Sequence, residues 1–474
     1  MDLQEKKMTK STKKLILMIV ALLVVAAATV AVVLIVRNKQ QPADDTPGSI
    51  TTYEVLNTDV SEVEFIEIIN SAGDTYIIRN NGGYDGVIDG IDEEVPLSAI
   101  TYSGFVSRFT SIKSYHEPIP VTAESDMGEY GLKDPYGTVV LHKKDGSEIR
   151  LLIGEQTVKK NGYYLWEEGS GNLYIVENMY HTSMDYDGQS FIDRQLEIVD
   201  QSRIFTVRQL SIVNNVDPNR SFTIQLKDDS VEDLSIYQYE VVSPEYFDAD
   251  DNKIYENIFT YLNPLTAEGI YTLDVSEENL RALGLYEPQY ILEYINNSLK
   301  TTIYFARTED GTPVAMYPGG KVVYKLGDSS VHFLDIGLSD VVSAFIVLQD
   351  IDDLKALSAV IGNGEEMTFE LPDTEGDHEV RVNGSEKTID IEDFRNLYSL
   401  AISIKIMNDA REDEQSGERI MEIKYVCADD SEHVVDFYEV DGRYAYVTLN
   451  GNGRFTVKLS DVEAFQAKLE ELIR

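Results

Sequence analysis

The chain has 474 residues, of which 43% are hydrophobic and 26% charged, and its formal net charge is −43. That apolar content excludes a disordered chain despite the charge, and the acid excess excludes nucleic-acid binding, because such a surface repels phosphate backbones. The single cysteine, Cys427, excludes an intrachain disulfide and lipid attachment at a signal-peptide cysteine, so stability has to come from packed cores.

Residues 1–14 form a basic tail with Lys6, Lys7, Lys10, Lys13 and Lys14. Leu15–Val36 follows, twenty-two residues without a charge. A helix of that length spans about 33 Å, enough to cross a hydrocarbon core of about 30 Å. Ala26-Ala27-Ala28 has the small residues of a cleavage site, but the apolar run continues to Val36, longer than the apolar part of a cleaved signal peptide. The segment is therefore expected to be an uncleaved, single-pass signal anchor. The lysines before it outnumber Arg37 and Lys39 after it, which orients the N-terminus to the cytoplasm and the bulk of the chain outside. Ala27 and Ala31 form a small-x-x-x-small pair of the kind that lets helices approach closely, although alanine is also simply common in such segments. Residues 37–50, with Pro42, Asp44, Asp45, Pro47 and Gly48, read as a linker. The first forty residues carry net +5, leaving −48 beyond them. This acidic exterior reads first as a well-hydrated surface, and second as one that attracts cations or a basic partner.

Beyond the linker, similar runs of strand, turn and helix recur in three stretches, 51–200, 201–350 and 351–474. In the first, Thr138–Leu141 turns at Lys144-Asp145-Gly146 and returns as Glu148–Ile153; Gly162–Trp166 then turns over Gly169–Asn172 into Leu173–Val176. In the second, Tyr290–Ile295 returns as Thr301–Phe305, and Pro313–Tyr317 turns at Gly319-Gly320 into Val322–Lys325. In the third, Ile423–Val426 turns at Asp429-Asp430 into His433–Tyr438, and Arg443–Val447 turns over Asn450–Gly453 into Phe455–Lys458. Gly, Asn and Asp at these bends supply the positive φ of tight hairpins. Apolar residues at helical spacing predict an upstream helix in each copy, over Ser98–Ile112, Tyr255–Leu262 and Glu392–Ile404, the last capped by Asp390. The expected architecture is α+β: three similar modules of mainly antiparallel sheet with packed helices. Their junctions fall near 200 and 350, where strand patterns restart at Ile204–Val207 and Ala359–Ile361.

A sharper signature links the first two copies. Glu129-Tyr130-Gly131-Leu132-Lys133-Asp134-Pro135 recurs as Ala282-Leu283-Gly284-Leu285-Tyr286-Glu287-Pro288. The glycine suits the left-handed residue that ends a helix, such as Ser276–Leu283, and the leucine is expected to pack back on it. Asp134 and Glu287 then lie on a tight bend, where a structural role outweighs a catalytic one. The third copy lacks the signature and has a polar loop, Asn408–Gly417, instead. With the hairpins that follow and the stretch Phe191-Ile192-Asp193-Arg194-Gln195-Leu196, this pattern resembles the bacterial family known as domain of unknown function 4340, from about residue 51 to the end. The resemblance implies an extracytoplasmic protein with a single N-terminal anchor, associated with ABC-type export systems of the kind named for gliding motility. It implies no catalytic residues.

The residues offer little chemistry. There is no Gly-x-Ser-x-Gly elbow, phosphate-binding loop or dinucleotide fingerprint. His116, His142, His181, His332, His378 and His433 are dispersed, which argues against zinc. Asp248-Ala249-Asp250-Asp251-Asn252 begins like a calcium loop, but Lys253 stands where glycine belongs and Phe259 where glutamate belongs, so these acids are expected to serve a helix N-terminus. Asp350, Asp352 and Asp353 are expected to do the same. Tyr163, Tyr164 and Trp166 read first as core, second as a partner surface and third as a glycan platform. No catalytic, cofactor-binding or metal residue is assigned, and no cofactor is expected. The leading functional expectation is a non-enzymatic extracytoplasmic binding or accessory protein whose partners are the membrane and a transporter permease or other envelope protein, working with an ABC-type transport system. An independent surface module binding an envelope polymer or ligand comes second, and a carboxylate-based hydrolase third.

Overall fold

A computed structural model of the chain describes residues 51–80, 86–122, 124–197, 207–227, 237–296, 299–371, 379–383, 387–415 and 417–473. The expected anchor at 15–36, its alanine pair, the linker, His378 and most of the strand expected at Ile204–Val207 lie outside these residues. Among the described residues no helix is long and apolar enough to cross a membrane. The chain forms two compact units: one runs to Gly86 and resumes over Ser103–Asp187, and the other holds Val87–Tyr102 and Gly188–Arg474.

The architecture is several mostly antiparallel sheets with a few helices. The first large sheet has eight strands, and its outermost, Gly86–Ile88, is followed inward by Thr75–Asn80, Val63–Ile69, Gly137–Lys143, Glu148–Gln156, Tyr163–Glu167, Asn172–Val176 and Ile119–Pro120. The second has nine: Phe247–Ala249, Tyr239–Ser243, Phe222–Leu226, Val207–Asn214, Tyr290–Asn296, Leu299–Arg307, Pro313–Met316, Val323–Lys325 and Gly269–Thr272. The third, also of nine, runs Thr388–Asp390, Glu379–Val382, Met367–Glu370, Leu354–Ile361, Arg419–Cys427, Glu432–Glu439, Tyr444–Leu449, Asn452–Lys458 and Ile406–Asp409. Each sheet is thus centred on a long antiparallel pair. Its first strand breaks register near its start in all three, between Val63 and Phe65, Val207 and Gln209, and Leu354 and Ala356. Such bulges add local twist to a strand.

Alternation along the central strands buries one face. In the third sheet Leu357, Ala359, Ile423, Tyr425, Val435 and Phe437 share a core with Phe394, Leu397 and Tyr398 of the helix Ile391–Ser403 and with Val462, Phe465 and Leu469 of the helix Leu459–Ile473. Asp390 caps the first of these, accepting from the Glu392 N–H at 2.8 Å. The same core continues through Leu210, Ile212, Leu292 and Phe305 of the second sheet, so both belong to one unit. Polar pairs line the opposite face: Ser211 with Thr223 and Ser358 with Thr368, each at 2.9 Å.

The expected helices form over Ala99–Thr110 and Ile391–Ser403, but the middle one is irregular. An α-turn, Asp251–Ile254, passes into a π-helical turn, Tyr255–Phe259, that buries Ile258 and Phe259. Within the loop expected at Asn408–Gly417, the structure has the end of the edge strand Ile406–Asp409 and a 3₁₀ turn, Glu412–Glu414. That strand buries none of its residues fully, so it carries no apolar alternation to read.

The Gly-Leu signature forms the same helix stop twice. Gly131 (φ 69°) and Gly284 (φ 73°) are left-handed. The Leu132 N–H donates to Met127 and the Gly131 N–H to Gly128, just as Leu285 donates to Leu280 and Gly284 to Arg281. This six-to-one and five-to-two pairing satisfies the last carbonyls of a helix. Both leucines are buried. Leu132 packs with Leu152, Leu173 and Trp166, and Leu285 with Leu283, Ala306, Val314 and Met316.

Candidate functional site

The second unit has a cleft of about 630 Å³. Edge residues Glu245–Asp248 form one wall, residues 342–349 the floor, and Ile406 with the hairpin residues Val447–Phe455 the other wall. Phe247 and Phe455 meet edge to face, 5.3 Å apart, and Ile346, Val347, Leu348 and Leu449 extend the apolar lining. That volume and this mainly apolar lining are typical of ligand sites.

Charged groups at the cleft are held by neighbours. The Arg454 Nε donates to Glu245 Oε1 at 3.2 Å, and Lys227 Nζ to Asp248 Oδ1 at 2.7 Å. Asn450 brackets the strand beside it, its N–H donating to the Val434 carbonyl and its Oδ1 accepting from the Val434 N–H. His433 also faces the cleft.

Beside the cleft lie a base and an acid whose pKa values are both shifted by burial. Lys253 reaches in from the turn Asp251–Ile254 and donates to the Ser339 and Val342 carbonyls at 2.8 and 3.1 Å. Burial pushes its ammonium below the usual lysine range, opposed by Asp250, Asp340 and Asp409. Asp409, at the end of the edge strand, accepts from the Ser339 N–H at 2.9 Å. Burial raises its carboxyl, and the Ser339 hydrogen bond works the other way. Both groups tie the 3₁₀ turn Leu338–Asp340 to its surroundings. Perturbed groups beside a cleft are candidate functional residues, yet structural networks perturb titration equally well, and here each group has a structural bond.

The residues singled out by sequence are distributed as follows. Asp250 caps the turn Asp251–Ile254, Asp251 accepts from the Gln238 and Tyr239 N–H groups, and Asp350 caps Ile351–Asp353. Only Asp248 of this group lines the cleft. Asp134 and Glu287 are exposed on their bends, with Glu287 3.9 Å from Arg281. The described histidines have separate surroundings. His142 sits between Glu67 and Glu148 and stacks on Phe65; His181 is sandwiched between Tyr136 and Tyr163, at 3.7 and 4.0 Å. Burial lowers the His181 pKa, with Asp185 opposing. Tyr164 and Trp166 pack against the Leu132 cluster, and the Trp166 indole donates to the Ser170 carbonyl. Sequence reasoning passed over the cleft floor, although Val341–Leu348 is a nearly uninterrupted apolar run ending at an acidic turn, a signal that was there to read.

Fold and cleft together define an α+β protein of open-faced antiparallel sheets with an apolar cleft in its larger unit. Residues 93–272 match the family described as Domain of unknown function (DUF4340). The matched stretch contains the first Gly-Leu signature and Phe191–Leu196, and it ends before the second signature. No curated protein and no solved structure matches the chain.

Proposed function

We propose that the chain is a membrane-anchored, extracytoplasmic, non-enzymatic binding or accessory protein that works beside an ABC-type transport system. One observation carries the binding role: an apolar cleft of about 630 Å³ whose charged residues Glu245, Asp248, Arg454 and neighbouring Lys227 are paired with one another. Groups so paired are suited to shaping a surface for a partner rather than to activating water. The uncharged run Leu15–Val36 and its lysine-rich flank support the membrane placement. The transport association follows from the family resemblance alone.

We also infer that the three large sheets are copies of one module. Their strand order, the early bulge in each first strand, and the matched pairs Ser211–Thr223 and Ser358–Thr368 support that reading.

Affinity purification of the tagged full-length chain from native membranes tests the functional proposal. Co-recovery of a transporter permease or ATPase is the expected result. Reproducible recovery without either component counts against the transporter association.

A further inference from the structure

Residues 341–349 cross from one sheet edge to another. On one side Val342 stands opposite Ala249, with the Asp250 N–H donating to the Val341 carbonyl at 2.8 Å and the Ser343 N–H to the Asp248 carbonyl at 2.7 Å. On the other side Phe345 stands opposite Lys405, and the Ile406 N–H donates to the Ala344 carbonyl at 2.8 Å. The segment therefore makes one isolated antiparallel bridge to each of the two sheets. Beyond Phe345 the pairing stops. Among the described residues, the main-chain N–H and C=O groups of Val347 and Leu348 have no hydrogen-bond partner, and both residues line the cleft. Leu348 is 49% exposed.

We propose that Val347–Leu348 is a strand-addition site that takes an extended, apolar stretch of a partner polypeptide into the cleft. The proposal rests on the binding-protein reading above and gives its occupant a chemistry. Open main-chain donors and acceptors next to an existing bridge are a template for another strand. In such recognition the main chain supplies affinity and pockets for alternate side chains supply selectivity. Here Phe247, Phe455, Val447 and Leu449 supply apolar walls on both sides of the open backbone. Because Arg454 and Asp248 are already paired, the cleft favours an uncharged segment over an anionic or cationic one.

The test uses the full-length chain in lipid nanodiscs against a displayed library of random octapeptides. Sequences with apolar residues at alternate positions should be enriched. A synthetic copy of an enriched peptide should bind the wild type and lose about tenfold or more in affinity when its alternate amides are N-methylated, which removes donors but keeps side chains. Val347→Pro should weaken the unmodified peptide similarly. It removes an N–H that makes no internal bond, and far-UV circular dichroism checks that the fold is kept; the N-methyl comparison needs no variant. Three results overturn the proposal: no enrichment of such peptides, equal affinity for methylated and unmodified peptides, or self-association of the chain that Val347→Pro abolishes, which makes a second copy the occupant. Peptide binding without transporter recovery sinks only the transporter association, and transporter recovery without peptide binding sinks only strand addition.

Discussion

Leu132→Ala probes the physical basis of the Gly-Leu signature directly. Leu132 is 4% exposed and packs with Leu152, Leu173, Tyr164 and Trp166. Truncating a buried leucine to alanine costs about 2–5 kcal/mol, as lost transfer energy plus a cavity. The cluster is small and bordered by half-buried rings that can relax into the space, so about 3 kcal/mol is expected. With a urea dependence of about 2 kcal/mol per molar, the midpoint should fall by about 1.5 M. Trp166 is the only tryptophan, so its fluorescence during urea titration of the full-length chain reports on this neighbourhood. Gly131→Ala should be at least as disruptive. A Cβ there would lie 2.5 Å from Glu155 Cγ and 2.8 Å from its backbone nitrogen, which cannot swing away, and the left-handed backbone adds about 1–2 kcal/mol. A midpoint shift below about 0.3 M for Leu132→Ala would refute the idea that the leucine anchors this turn.

The remaining predictions address the other unit and the proposed anchor. Gly284→Ala should destabilise by about 2–4 kcal/mol, because its Cβ would crowd Gln289, whose amide makes two hydrogen bonds to the Arg307 main chain; thermal unfolding by circular dichroism measures it. Asp409→Asn should flatten the dependence of stability on pH. The folded carboxyl is raised, so its stabilising contribution is complete below the unfolded aspartate pKa and is lost as pH rises through the folded value; identical pH profiles for wild type and variant would contradict this. Replacing Lys6, Lys7, Lys10, Lys13 and Lys14 with glutamine should randomise orientation, read as protease accessibility of the acidic region in vesicles of known sidedness.

The sequence was most legible where local rules dominate. The hairpins after each signature form at the residues their alternation indicates, and Gly131 and Gly284 adopt the left-handed conformation that a helix stop demands. The middle helix was harder. Asp251–Phe259 has apolar residues at helical spacing, but burying Ile258 and Phe259 together is met by a π-helical turn, which spacing does not reveal. Edge strands such as Ile406–Asp409 were invisible because their pairing depends on a remote partner, Phe455–Val457, and not on their own pattern. The cleft was missed for a related reason. Its walls come from residues roughly two hundred positions apart, and Val341–Leu348 gives no hint by itself that one end is paired while the other is open.

The third sheet departs from the others in a way that packing explains. Registers align Ile153 with Phe305 and Phe437 along the same strand, so the next position is Gly154, Ala306 and Tyr438 in turn. Any side chain at Gly154 would collide with the Tyr130 carbonyl of the overlying turn, and Ala306 lies beneath Leu285 in the second cluster. The small residues therefore exist to let the Gly-Leu turn approach the sheet. Among the described residues the third sheet has no such turn, and Tyr438 stands opposite Tyr446, their rings 6.0 Å apart, where Ala306 faces Val314 in the second. Two residues earlier on the same strand, Asp436 accepts a hydrogen bond from Arg419 in place of an apolar contact. The third sheet thus has neither the signature nor a small residue at this position, and larger side chains occupy the space. The surface is packed differently where the motif is absent, while the strand order corresponds to that of the second sheet.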